Sequence, residues 1–168
     1  MNGEYVIWTD RLELREICED DTEKIVAWRS DPEVYRYFRN PHALTEAEHL
    51  QWYQNKYIKD NDMISWIACF EKDPIGVYQA VRRDIETAEV SYLLDKGYQG
   101  KGFAAEAVSA IEKWVYVNWG INKLVAEIHI DNEKSREFII RMGYIKKSRE
   151  GNFDIYIKTL ENTGIQEP

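Results

Sequence analysis

A chain of 168 residues with 44% hydrophobic and 31% charged side chains can bury one core, and its composition is that of a globular protein, not a disordered or fibrous one. No apolar run approaches the roughly 20 residues of a membrane helix. The net charge of −8 excludes a general nucleic-acid binder, because contacts to phosphate need basic clusters.

In chain order, residues 11–16 (RLELRE) alternate Leu12 and Leu14 with charged side chains, which predicts a half-exposed strand. Asp20 or Asp21 then supplies an N-cap for a short helix carrying Ile25, Val26 and Trp28. Thr45, with Glu48 three residues on, has capping-box spacing and opens a helix whose Leu50, Tyr53 and Tyr57 share one face. Residues 63–71 (MISWIACFE) and 75–83 (IGVYQAVRR) predict two strands joined by a turn at KDP. In the next strand, TAEVSYLLD, one face holds Ala88, Val90, Tyr92 and Leu94, and the other holds Glu89, Ser91 and Leu93. After two glycines, Ala104, Ala107, Val108, Ile111 and Val115 keep helical spacing for about four turns. KLVAEIHI predicts a strand, NEKSREFIIRM a short helix, and NFDIYIKTL a last strand, alone or with one before it.

Hairpin strands imply an antiparallel sheet portion, and the strand–helix–strand unit from Tyr92 to Ile130 implies a parallel pair. The expected fold is α/β (α+β): a mixed, mostly antiparallel central sheet with helices on both faces. One domain over residues 1–168 is expected, with about 161–168 a frayed tail. The first residues show no basic segment followed by an apolar one, so no secretory signal is expected. Cys18 and Cys69 stand outside any metal or redox spacing, as idle thiols in a reducing cytoplasm do. His42, His49 and His129 also lack metal-ligand spacing, and no metal is expected.

Gly100 and Gly102 stand at the mouth of the long helix. Without Cβ atoms they let the backbone offer successive N–H groups to a guest, where the first helical amides lack internal partners and the helix dipole is positive. An anion such as pyrophosphate is one reading; a plain strand-to-helix turn is the other. The P-loop pattern fails, because Phe103 stands where lysine is required. GKGFAA does satisfy G-x-G-x-x-A, a dinucleotide fingerprint with Glu127 downstream, but the hairpin strands before it fit a doubly wound parallel sheet poorly.

Residues 99–104 also read Q-x-x-G-x-A between a strand and a helix. In this they resemble the acyl-coenzyme A pyrophosphate loop of the GNAT superfamily of N-acetyltransferases. IDNEKSREFIIRMGYIKKS is similar to that superfamily's N-x-x-S/A…G-F/Y segment, and WRSDPEVYRYF to the first helices of its ribosomal-protein and amino-sugar branch. The resemblance runs from Arg11 to about Leu160. It implies acetyl-CoA as cosubstrate and direct attack by a primary amine. The implied acceptor is a small-molecule amine or a nucleotide-linked amino sugar, with a protein N-terminus or a polyamine as alternatives. A non-catalytic CoA-binding module is the rival from another class. Neither nucleic acid nor membrane is an expected partner, and a monomer or a homodimer is left open.

By the same resemblance, the pantetheine arm lies between two splayed parallel strands, along Leu93, Leu94 and Asp95. The amides of Gln99, Gly100, Lys101, Gly102, Phe103 and Ala104 take the pyrophosphate, with Asn132 and Ser135 toward the pantetheine or adenosine end. Asn132 reads equally well as a helix N-cap. Glu89 is the implied general base, its alternative being a solvent-facing strand residue, and Ser91 holds water or substrate. Many members carry a tyrosine acid where this chain has Ile139, which leaves Tyr144, Tyr92 or a water for that role. Trp28, Arg29, His49 and Trp52 are expected to border the acceptor pocket.

Overall fold

Alternating apolar residues build one eight-stranded sheet in the computed structural model, which describes residues 5–161. All of the expected tail except Glu161 lies outside them. The strands are β1 (Ile7–Trp8), β2 (Leu12–Glu16), β3 (Met63–Phe70), β4 (Asp73–Arg82), β5 (Thr87–Leu94), β6 (Lys123–His129), β7 (Ile145–Glu150) and β8 (Phe153–Thr159). They stand in the order β1-β2-β3-β4-β5-β6-β8-β7, and every neighbouring pair is antiparallel except β5 and β6. The helices are α1 (Thr22–Arg29), α2 (Pro32–Tyr35), α3 (Glu46–Asn55), α4 (Phe103–Trp119) and α5 (Glu133–Arg141). No described helix is long and apolar enough to cross a membrane.

The period-2 pattern of β3 separates two cores. Ile64, Trp66 and Ala68 pack with Ala107, Val108 and Ile111 of α4, whereas Ile67 and Cys69 pack with Ile25, Trp28 and Tyr53 of α1 and α3. Successive strand side chains point to opposite faces, so helices cover both sides of the sheet, as expected. Trp66, Ile67 and Ile111 are wholly buried, and each such side chain contributes about 1.5–3 kcal/mol of apolar burial.

Local details depart from the sequence reading in four places. β1 is too short to show a period. The β3–β4 turn falls on Glu71 and Lys72, both at positive φ (50° and 75°); a two-residue turn of that hand matches the hairpin twist, so Asp73 and Pro74 already belong to β4. The α3 helix ends at Asn55, with Tyr57 in the 3-10 turn Tyr57–Lys59, and its buried residues are His49 and Tyr53 while Leu50 is half-buried. Asp21 precedes α1 without capping it, because its carboxylate accepts from Arg15 at 2.9 and 2.7 Å and from the Cys18 amide at 2.8 Å. The Thr45/Glu48 capping box forms as read.

The exposed edge strand β7 carries Lys146, Lys147 and Arg149, charges that discourage edge-to-edge pairing. Hydrogen bonds from Arg149 and then Lys146 lower the Asp154 carboxyl from 3.8 to about 2. A carboxyl with a folded pKa below its unfolded one stabilises the fold above the unfolded value and ceases to as it takes up protons. Stability is therefore expected to fall as pH drops from 3.8 towards about 2. Asp154→Asn should flatten that limb of the acid-denaturation curve.

Candidate active site

The parallel pair β5–β6 is joined over three positions only: Thr87 with Lys123, Ala88 with Leu124 and Glu89 with Val125. Beyond them β5 stays with β4 as far as Leu94, and β6 stays with β8 through His129. The facing edges, positions 90–94 and 126–129, therefore have no ladder between them. An open edge within a sheet accepts an extended guest through main-chain hydrogen bonds.

At the end of β5 the chain enters the 3-10 turn Lys96–Tyr98, capped by Asp95, whose carboxylate accepts from the Gly97 amide and from Trp28 Nε1, each at 2.8 Å. The indole N–H is the main reason that the Asp95 carboxyl sits below its ordinary range. Trp28 thus ties α1 to the mouth of the loop. It is 7% exposed and is not among the residues that line the cavity described below, where Arg29, His49 and Trp52 lie.

Gly100 and Gly102 take φ of +76° and +83°, a region that glycine enters without steric cost. The amides of residues 100–105 meet no hydrogen-bond acceptor among the described residues, and the Glu106 amide, 3.1 Å from the Gly102 carbonyl, is the first to close the α4 ladder. A Cβ at Gly100 would meet nothing within 4 Å, so the loop has an open face. Lys101 Nζ donates to the Gly97 carbonyl at 3.3 Å and Lys134 Nζ to Gln99 Oε1 at 3.2 Å. Two cations thus stand beside unbonded amides at a helix N-terminus, a set of donors that fits a pyrophosphate. Arg11 braces the loop from outside. It donates to the Lys101 carbonyl (3.0 Å) and to Glu106 (2.7 Å), with its guanidinium 4.3 Å from the Phe103 ring centre. The Phe103 ring is 3% exposed, so that residue offers the loop its amide rather than its side chain. No local spacing marks Arg11 or Lys134, which reach the loop from distant parts of the chain.

The face of β5 that carries Ser91 and Leu93 borders a cavity of about 160 Å³, lined also by Arg29, Phe38, His49 and Trp52. Arg29, His49, Trp52 and Ser91 are thus brought together around one cavity. His49 is 2% exposed, with Nδ1 3.0 Å from Thr22 Oγ1. Burial, and then the Arg29 charge, keep its imidazole below its usual pKa and neutral. Gln79 and Ser65, 2.8 Å apart, add polar groups that the sequence reading did not single out.

Glu89 shares the Ser91 face at the point where the strands part, but it does not line this cavity. Its carboxylate lies against the Arg83 guanidinium, which also reaches Glu127, 3.9 Å away. Glu127 in turn accepts from Arg39 at 3.0 Å, and with a single parallel pair the sheet is not the doubly wound one that a dinucleotide fold requires.

Around α5, Asn132 acts as the N-cap, its Oδ1 accepting from the Ser135 amide at 3.2 Å. Tyr92 donates to Ser135 Oγ at 3.2 Å, and its ring meets Phe138 at 4.8 Å. Burial raises the Tyr92 hydroxyl to about 12, so it stays protonated at neutral pH. Ile139 is core. Tyr144 is core as well: it is 2% exposed and donates to Glu112 Oε1 at 2.9 Å, while Glu112 Oε2 accepts from Lys158 at 2.7 Å. A hydroxyl committed to a buried carboxylate, away from the cavity, is poorly placed to donate a proton to a leaving group there.

Residues 11–145 match the family model of an acetyltransferase (GNAT) domain. The chain is 28% identical over 148 residues to the uncharacterized N-acetyltransferase YoaA of Bacillus subtilis, covering 84% of each chain. Among solved structures, it is similar to the ribosomal L7/L12 α-N-protein acetyltransferase RimL in complex with coenzyme A (TM-score 0.81, 16% identity, 93% of this chain and 98% of that one). It is also similar to spermidine N-acetyltransferase from Vibrio cholerae in complex with CoA and spermine (TM-score 0.76, 19% identity, 88% and 93%). At these identities the two structures speak for the fold.

Proposed function

This chain belongs to the GNAT acetyltransferase family and is an acetyl-CoA-dependent N-acetyltransferase, and on that premise we propose that it acetylates a small primary amine, a nucleotide-linked amino sugar, received in the cavity beside Ser91. The carrying observation is geometric. A strand pair joined over three positions opens directly onto a loop of unbonded amides, with a cavity lined by apolar and polar side chains beside Ser91, Tyr92 and Leu93 of the same strand.

Acetyl-CoA supplies an acyl group activated as a thioester. The open edge of β5, along Leu93 and Leu94, offers main-chain hydrogen bonds to an extended arm. Asp95 ends that edge, because its amide donates to the Ile75 carbonyl at 2.8 Å and its carbonyl accepts from the Tyr98 amide at 3.0 Å. The amides of residues 100–104 take the pyrophosphate charge, since the Gln99 amide already donates to the Lys96 carbonyl at 3.4 Å. A β5 amide at Leu93 or Leu94 meets the negative charge that grows on the carbonyl oxygen during attack. An amine arrives protonated at neutral pH, so a base must take a proton before it can attack. Glu89 serves as that base. It lies two strand residues from Ser91, about 6.6–6.8 Å along the chain, a gap that one water held at Ser91 bridges. Tyr92, protonated and beside Ser135, takes the donor role left open by Ile139 and Tyr144.

Thiol release from acetyl-CoA, measured with amino sugars, polyamines and N-terminal peptides in parallel, tests the acceptor. A nucleotide-linked amino sugar is expected to give the highest kcat/KM. A polyamine or peptide ahead of every amino sugar would move the acceptor to that class and leave the chemistry as described.

A further inference from the structure

We propose that the acceptor carries an anionic group, a carboxylate or a phosphate, and that Arg29 is the residue that binds it. This rests on the acetyltransferase reading of the cavity and goes beyond it to what the pocket selects.

Arg29 closes α1 and lines the cavity. Other arginines of the chain have acids: Arg11 lies on Glu106, Arg15 on Asp21, Arg39 on Glu127 and Arg83 on Glu89. Arg29 has no hydrogen bond and no ion pair to any described residue. Its guanidinium carbon stands 5.0 Å from the centre of the Phe38 ring. Among the described residues no aspartate, glutamate or lysine lines the cavity, and His49 is neutral there. The single formal charge that the described residues bring to the pocket is therefore one positive guanidinium, half-buried and without a counter-ion among them.

A cation withdrawn from water and left unpaired is unfavourable. An anion on the ligand removes that cost and gains a charge-assisted contact, bidentate where its oxygens match the guanidinium fork. A polycation would meet the opposite: a like charge and no carboxylate to bind its ammonium groups. The local sign thus runs against the net charge of −8 carried by the whole chain. Size adds to this. A void of about 150 Å³ holds a benzene ring, so a cavity of about 160 Å³ suits one sugar ring or one short side chain, with the anion attached close to it.

The test compares amines with twins lacking only the anion: an α-amino acid against its amide, and an amino-sugar phosphate against the free amino sugar. Spermidine is the cationic control. Thiol release is followed at saturating acetyl-CoA. One anionic member is expected to exceed its twin by about 10- to 100-fold in kcat/KM, the scale of one charge-assisted hydrogen bond, and the pair that shows this distinguishes carboxylate from phosphate. Arg29→Gln should collapse that ratio towards unity, and Arg29→Lys should keep part of it. A retained thermal shift with acetyl-CoA shows that each variant is folded with its donor site intact. Neutral twins or spermidine turned over as fast as the anionic amines, no acetylation of any anionic amine, or a ratio unchanged in Arg29→Gln would each overturn the inference. A protein that binds acetyl-CoA yet prefers neutral amines loses this inference and keeps the acetyltransferase reading. Failure to bind acetyl-CoA removes both.

Discussion

Gly102→Val is expected to weaken acetyl-CoA binding by at least about 100-fold, the loss of two hydrogen bonds to charged groups, while the fold stays in place. Gly102 sits at φ +83° as the N-cap of α4, and a β-branched residue held in that region costs about 1–2 kcal/mol. That is a small share of the roughly 5–15 kcal/mol that stabilises a domain. The new Cβ would come 3.3 Å from Arg11 Nη2, the end of a flexible side chain that can give way. The backbone relieves its strain by leaving positive φ, and in doing so reorients the unbonded amides of residues 102–104. Calorimetric titration of acetyl-CoA into the folded variant measures the effect. Tight binding by that protein would contradict the anion cradle.

Glu89→Gln should lower kcat by about 100- to 10,000-fold, the usual contribution of a general base, with acetyl-CoA affinity unchanged. Glutamine keeps the shape of the side chain beside Arg83 and removes its ability to accept a proton at neutral pH. Steady-state kinetics over a range of pH, paired with titration of acetyl-CoA, separate the two effects. A variant with full kcat across that range would place the base elsewhere and leave the donor site untouched.

What the sequence made legible follows the range of its signals. The alternation of Ala88, Val90, Tyr92 and Leu94 against Glu89, Ser91 and Leu93 is a local property of an extended chain, and the structure keeps it: Ala88 and Val90 are core and Leu93 packs on the other face. The capping box at Thr45 and Glu48 lies within one helical turn and survives for the same reason. The glycines before α4 are equally local, and their positive φ values match the conformational freedom that marked them.

Contacts that close over long separations left no such trace. Trp28 looked like a pocket aromatic because nothing nearby announces Asp95, its partner across the site. Tyr144 looked available for the same reason, since Glu112 lies a helix and a strand earlier in the chain. The buried face of α3 turned on where the helix meets the sheet, which brought His49 inward and left Leu50 half out. Arg29 could be placed near an acceptor from its segment, but its lack of a counter-ion is a property of the assembled cavity and is visible only there.

In the proposed function the cleft between β5 and β6 and the loop before α4 form the donor site for acetyl-CoA. Thermal melting of the purified protein with acetyl-CoA, with NAD as the matched control, tests it most directly, because a ligand at 100 times its dissociation constant stabilises the folded state by about 2.7 kcal/mol. A clear rise in Tm with acetyl-CoA and none with NAD is the expected result. A rise with NAD alone, or no change with either, would contradict it.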